Sequence, residues 1–401
     1  MSRRIAVVGA GMAAARFAER FHALGGEAEV TLYGAEPRAP YNRVLLADVL
    51  TGRYDAEAIT LPSGDAALRV GAEVGSLDTA ARTLRLVGGE QQSYDQLVLA
   101  TGANPVLPPI RGLRREPGGL KAGVHALRTV SDCRQLAEHA ARARRAVVVG
   151  GGVLGVSAAR ALAALGLPVE IVHQGPQLIE RQLDEQAGRA LQGGLARLGV
   201  VTYCGNRARA VRGAERVTGV ELAGGYLLET DLVVLACGVR PRTGLAHSAG
   251  LLVRTGVLVD DRLAASAADT YAIGDCAEHR GVVHGLAGPA WEQADVLAAR
   301  LSGADPDAVF TGSRPLARLS AGPLEYAAFG EVADEGPGLD VLRLTDATRG
   351  SYKKLVLRGD RLVGGILLGD LATVGAFTRA YERDDPLPRE PLHLLTTLGA
   401  F

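Results

Sequence analysis

Two short runs in this chain have the residue types and spacing needed to hold a pyrophosphate. Gly9-Ala10-Gly11-Met12-Ala13-Ala14 follows the apolar run Ile5-Ala6-Val7-Val8, and Gly150-Gly151-Gly152-Val153-Leu154-Gly155 follows Ala146-Val147-Val148-Val149. In such a run the first glycine turns the chain out of a strand and the second lets backbone approach a phosphate. The third small residue lets the next helix pack closely on the sheet. Gly9, Gly11, Met12, Ala13 and Ala14 thus form one candidate site, and Gly150, Gly152, Val153, Leu154 and Gly155 a second. The helix start behind each turn offers backbone N–H groups to an anion. Glu36 lies just past the run Glu29-Val30-Thr31-Leu32-Tyr33, where a carboxylate can accept from ribose hydroxyls. The matching place in the second unit is occupied by His173-Gln174. Arg181 could meet a 2′-phosphate there or be a surface charge, so NADH and NADPH both stay open. Two dinucleotide sites in one chain suit hydride exchange between a nicotinamide and a flavin.

The elements that must position these turns repeat one plan: an apolar strand, a glycine turn, an Ala-rich helix and a second strand. The first helix is expected to run to about Leu24 and the second to about Leu165, with the last strand at Val169-Glu170-Ile171-Val172. Fully apolar strands beside helices of 3.6 period predict parallel sheets covered on both faces. Ala72 to Val87 alternates as a small antiparallel sheet would, and Pro105 to Gly119 reads as a linker. Gly238 to Arg242 reads as a crossing back, and Thr270-Tyr271-Ala272-Ile273-Gly274-Asp275 as a buried strand ending in Gly-Asp. From Pro315 the pattern changes to strand-like runs and a helix near Leu371 to Tyr381. The fold class is therefore α/β, two doubly wound dinucleotide-binding (Rossmann-like) domains plus a small α+β C-terminal domain. The expected domains are residues 1–111 with 240–314, then 112–239, then 315–401.

Composition narrows the function. Glycine takes 52 of 401 positions, about twice the usual share, without a collagen-like period. Lys+Arg and Asp+Glu both number 44, which leaves no strong field for nucleic acid or an anionic membrane. Ala146 to Val172 is apolar enough to imitate a membrane span, but three consecutive glycines, Arg160 and Pro168 interrupt it. Cys133, Cys204, Cys237 and Cys276 are scattered, with no C-x-x-C for a dithiol, zinc or iron–sulfur set. No signal-peptide pattern opens the chain, so a cytoplasmic protein is expected.

Taken together, Gly9 to Ala14, Pro40-Tyr41-Asn42-Arg43, Tyr94 to Ala103, the second glycine run, Ala236 to Pro241 and Tyr271 to Asp275 resemble the FAD-dependent pyridine nucleotide-disulfide oxidoreductase superfamily. Tyr41 to Leu46, Glu180-Arg181-Gln182-Leu183-Asp184 and Tyr352-Lys353-Lys354-Leu355 are most similar to the flavin-binding half of assimilatory nitrite reductase large subunits. Rubredoxin and ferredoxin reductases come next. The resemblance implies FAD at the first turn, with Glu36 on the adenosine ribose, Arg43 near the flavin, Val74 near the adenine and Ala100, Thr101 and Gly102 along the pyrophosphate. It implies NADH or NADPH at the second turn, on residues 112–239. Asp275 matches the carboxylate that holds the ribityl chain, and the helix start expected after it would offer N–H groups to phosphate. Simple N-capping is its alternative role. Trp291 sits where the family approaches the flavin ring, with core packing as the equal alternative.

Departures from that pattern shape the expectation. Asp48 stands where rubredoxin-type reductases carry Lys, and Ser157 where the family carries Glu; Asp48 is expected to be solvated on a helix surface. These residues hold no cysteine cluster for an iron–sulfur centre or sirohaem, so nitrite reduction is not expected of them alone. The cysteines of disulfide reductases are missing too, and the flavin itself, near Arg43, Asp48, Ser157 and Trp291, is expected to be the catalytic centre. The expected function is an FAD-dependent NAD(P)H oxidoreductase that passes electrons to a separate nitrite reductase component or iron–sulfur protein, with residues 315–401 as an interface. A homodimer is compatible with this. Its rivals are a flavin oxidase or biosynthetic enzyme acting on a small molecule, and a non-enzymatic flavin-binding protein.

Overall fold

Repetition of the strand–turn–helix plan organises the chain into two five-stranded parallel sheets. The structure, a computed structural model, describes residues 3–115, 118–314, 316–321, 324–346, 348–387 and 395. Its α-helices are α1 (Met12–Ala23), α2 (Leu46–Leu50), α3 (Val130–Ala140), α4 (Val153–Ala164), α5 (Glu185–Arg197), α6 (Gly244–Ser248), α7 (Ala287–Ser302) and α8 (Val374–Arg383). The chain divides into two compact units, one of residues 1–45, 54–104 and 239–313, the other of 46–53, 105–238 and 314–401.

In the first unit the sheet order is Thr270–Ala272, Gln96–Leu99, Arg4–Val8, Glu29–Gly34 and Ala67–Val70. The central strand is flanked in parallel on both sides, Val8 beside both Leu99 and Tyr33. Ile5, Val7, Leu97 and Val98 are almost fully buried, as expected of strands covered on both faces. Their cover includes α1, whose Ala14, Phe17, Ala18 and Phe21 are buried at helical spacing. The alternating stretch is an antiparallel sheet of Val74–Asp78, Thr83–Leu86 and Gln91–Ser93.

The second unit repeats the design with the order Val200–Tyr203, Val169–Val172, Ala146–Val149, Leu232–Leu235 and Val124–Ala126. It also holds the C-terminal sheet, five antiparallel strands ordered Leu316–Ala321, Leu324–Gly330, Arg361–Leu368, Ser351–Arg358 and Leu339–Asp346. Phe377 and Tyr381 of α8 pack with Phe329, Leu355 and Leu367 in its core. The expected domain start at Pro315 and its end at Phe401 lie outside the described residues. Among the described residues no helix is long and apolar enough to cross a membrane.

His125, on the strand Val124–Ala126, is buried against His139 with ring centroids 4.6 Å apart. Burial, and then the neighbouring imidazole, lower its pKa from 6.5 to about 4. The unfolded chain therefore binds this proton more readily than the folded one, so His125 contributes stability above its unfolded pKa that is lost as pH falls from 6.5 to about 4. Urea unfolding across that window should show wild-type stability dropping more steeply than that of His125→Gln; parallel profiles would disprove the assignment.

Candidate functional site

Gly9 adopts a φ of +117°, and a Cβ added to it would fall 2.1 Å from the carbonyl oxygen of Ala100. No side chain fits there, because the turn leaves its strand directly against the neighbouring one, where Ala100 N donates to Val8 O at 2.9 Å. Helix α1 then begins behind Gly11, which no side chain caps, with no acidic residue in the first turn. A Cβ on Gly11 would meet nothing within 4 Å. The start of α1 thus has open space at Gly11 and no acidic residue of its own in the first turn, which suits a phosphate.

Glu36, past the strand Glu29–Gly34, is held at both oxygens: Arg43 Nη2 donates to Oε1 at 2.5 Å and Tyr41 OH to Oε2 at 2.7 Å. The Arg43 guanidinium also lies over the Tyr41 ring, 4.6 Å from its centroid. Arg43 is thereby placed on Glu36. Ala100, Thr101 and Gly102 follow the strand Gln96–Leu99, and Thr101 Oγ1 donates to Arg242 O at 2.8 Å. Val74 opens the antiparallel sheet, half-buried against the unit's core.

The helix expected after Asp275 is absent. Gly274, at φ +75°, leads into a single 3-10 turn, Gly274–Cys276, and the chain then becomes the strand Ala277–His279. What holds Asp275 near the first turn is packing: a Cβ on Gly274 would lie 3.0 Å from Ala13 Cβ, and Gly274 N donates to Gln293 Oε1 of α7 at 2.7 Å. Trp291 is half-buried on α7, two residues from Gln293 and so on roughly the opposite side of the helix.

The second turn reproduces the first. Gly150 has φ +112°, and its Cβ would fall 2.2 Å from Ala236 O; Gly155, behind it, would clash at 1.9 Å with Gly150 O. Gly152 caps α4 with no side-chain hydrogen bond, no acid in the first turn and nothing within 4 Å of an added Cβ. By contrast, α3 closes its own start with a Thr129–Asp132 capping box, and α5 is capped by Asp184. In the second unit, then, α4 is left open, as α8 is, whereas α3 and α5 are closed. Burial pushes the thiol of Cys237, beside this turn, up to about 11, and raises that of Cys276. Both donate to strand carbonyls at 3.4 Å, so neither is a thiolate.

Asp48 is not the solvated residue its sequence suggested. It is buried in α2, with Arg160 of α4 at 3.9 Å and Arg53 at 3.7 Å. The Arg160 pair is close enough for Coulomb attraction and too long for a hydrogen bond. Burial lowers the Arg160 pKa. Ser157, one turn before Arg160, donates to Val153 O of its own helix at 2.7 Å. The acid of the pair therefore sits on α2 and the base on α4, three residues beyond Ser157.

Two motif segments distant in sequence meet in the second unit. Asp184 Oδ1 caps α5 by accepting from Ala187 N at 2.9 Å, while Oδ2 accepts from Tyr352 OH at 2.6 Å and Lys354 Nζ at 3.1 Å. Lys354, wholly buried, also donates to Val332 O at 2.6 Å and pairs with Asp334. Sequence reasoning missed a second arrangement in the same stretch: His173, past the strand Val169–Val172, is bonded to Glu180. The only sequence signal was Glu180 itself, seven positions on. Among the described residues no cluster of His, Cys, Asp and Glu could hold a metal.

Comparison with known proteins assigns the family. The pyridine nucleotide-disulphide oxidoreductase family matches residues 3–294. This chain belongs to that family. Residues 315–384 match the rubredoxin NAD+ reductase C-terminal domain. The chain is 37% identical over 375 residues to a nitrite reductase [NAD(P)H] of Bacillus subtilis, covering 92% of this chain and 46% of that protein. It is 33% identical to the ferredoxin–NAD(+) reductase component of the biphenyl dioxygenase system of Paraburkholderia xenovorans, over 68% of this chain and 67% of the relative. A ferredoxin reductase from Rhodopseudomonas palustris superposes with a TM-score of 0.84 at 26% identity, over 99% of this chain and 100% of that one. The chain thus spans less than half of the nitrite reductase it matches. As a pyridine nucleotide-disulphide oxidoreductase it is an enzyme. The family implies FAD and NAD(P)H as its cofactors.

The turns carry a stability signature. Gly9→Ala and Gly150→Ala should each cost about 1–3 kcal/mol in urea unfolding, because a Cβ meets a fixed carbonyl at a positive φ. Gly152→Ala should cost no more than about 1 kcal/mol; equal losses at all three positions would refute the geometry. For the ion pair, the double variant Asp48→Leu with Arg160→Met should lose less stability than the sum of the two single losses, by a coupling of about 1–3 kcal/mol. Additive losses would show that the two charges do not interact.

Proposed function

We propose that this chain takes hydride from NADH or NADPH onto FAD and passes electrons to a separate iron–sulfur or nitrite reductase component. One observation carries the reading: a single chain holds two helix starts, α1 and α4, that are built alike and left uncapped behind positive-φ glycines. When bound, the flavin would convert a two-electron hydride donor into one-electron deliveries. FAD would be held by residues 1–111 with 240–314, the nicotinamide nucleotide by 112–239, and the partner by the C-terminal part, 315–401.

On this reading Gly11, Met12, Ala13 and Ala14 present the N–H groups of α1 to the FAD pyrophosphate, with Gly9 allowing the close approach. Glu36 accepts from the adenosine ribose, and Tyr41 and Arg43 hold its carboxylate in place. Val74, Ala100, Thr101 and Gly102 border the adenine and pyrophosphate, and Asp275 accepts from the ribityl chain. Gly150, Gly152, Val153, Leu154 and Gly155 do for the nicotinamide nucleotide what the first turn does for FAD. No side chain is required to act as general acid; the protein binds, orients and excludes water. Cys237 and Cys276, both protonated, hold no electrons in transit. An acceptor protein is supported by relatives named as a ferredoxin–NAD(+) reductase component and a nitrite reductase.

Anaerobic stopped-flow mixing of the FAD-loaded chain with NADH or NADPH should bleach the flavin absorbance, and a candidate iron–sulfur protein should then restore it. Failure of both nucleotides to bleach the flavin would refute the proposal. Reoxidation only by oxygen, with stoichiometric peroxide, would replace it with a flavin oxidase acting without a protein partner.

A further inference from the structure

In a unit of this architecture the adenosine ribose of a bound dinucleotide meets the residue just past the second strand. Here that residue is His173, whose ring is turned back into the glycine turn. Gly151 N donates to His173 Nδ1 at 3.1 Å in a buried bond. That bond leaves the proton on Nε2, which donates it to Glu180 Oε2. The imidazole is therefore a neutral donor and the pair carries the net charge of one carboxylate.

The loop is shaped to deliver Glu180. Ile179 lies at φ +54°, a left-handed conformation that is an outlier for a β-branched residue. It is held there by Ile179 N donating to Gly151 O at 2.9 Å and Leu183 N donating to Ile179 O at 3.0 Å. Gly151 is bound on both sides, its N–H by His173 and its carbonyl by Ile179. Space is kept as well, since a Cβ on Gly175 would fall 2.0 Å from Glu180 Oε2. The Glu180 side chain remains 38% exposed. Among the described residues its Oε1 accepts no hydrogen bond. A strained, tied loop has placed a half-open carboxylate at the strand end that lacked one in the sequence.

We infer that the His173–Glu180 pair reads the 2′ position of the adenosine ribose, accepting a hydroxyl and repelling a phosphate, so that this chain selects NADH over NADPH. The inference rests on the proposal that the second turn binds a nicotinamide nucleotide. Arg181, the cation that could favour a 2′-phosphate, is exposed and takes no part in these bonds.

The probes are ADP-ribose and 2′-phospho-ADP-ribose, which carry no hydride and report binding alone by titration calorimetry on the full FAD-loaded chain. Wild type should bind ADP-ribose tighter by about tenfold or more, the scale of one hydrogen bond to a charged group. Glu180→Gln should reduce that ratio by about tenfold and Glu180→Arg should invert it, whereas Arg181→Ala should leave it within about twofold. Unchanged thermal midpoints would show the variants folded. An unchanged ratio in both Glu180 variants, a wild-type preference for the 2′-phosphate, or a larger effect at Arg181 would overturn the inference while leaving the second turn as a nucleotide site. Binding of neither probe to wild type would overturn that site and the inference together.

Discussion

One steric constraint governs the rest: a strand that ends directly beside the carbonyl of its parallel neighbour can turn only through a residue without a side chain. At Gly9 the obstacle is Ala100 O and at Gly150 it is Ala236 O, with nearly equal clash distances of 2.1 and 2.2 Å. Once the chain turns there, the next helix must start with its N–H groups pointing outward. Everything then depends on whether a side chain closes that start. In α3 and α5 one does; in α1 and α4 none does. Uncapped starts recur at α6, α7 and α8, so what sets α1 and α4 apart is the glycine that turns the chain against a neighbouring carbonyl just before each of them.

Much of the fold was legible because local and tertiary demands coincide. The apolar strands and Ala-rich helices of both repeats end within a residue or two of where periodicity put them, since strands buried on two faces tolerate little else. Asp275 shows where legibility stopped: Gly-Asp after a strand reads as a helix start, but Gly274 enters the left-handed region and the chain resumes as a strand. Asp48 shows another limit. A lone acid on a short helix reads as solvated, and only the position of Arg160, more than a hundred residues later, explains its burial. Glu180 could not be placed from sequence, because its route runs through a left-handed Ile179 that no local pattern announces.

Charge pairs in the second unit follow a common logic. Asp48 with Arg160 and Asp184 with Lys354 each hold a buried charge against one from a distant element. Such pairs add little net stability, but removing one partner strands the other in a low-dielectric interior. They therefore act less as glue than as a specification of which element belongs beside which.

Asp184 divides its two oxygens between jobs that belong to different stages of synthesis. Oδ1 closes the start of α5, while Oδ2 waits for Tyr352 and Lys354. A ribosome delivers α5 long before those residues emerge, so the nascent chain carries this carboxylate half-engaged until the C-terminal sheet is made. The strand that carries Tyr352 and Lys354 thus completes the hydrogen bonding of an element some 170 residues upstream.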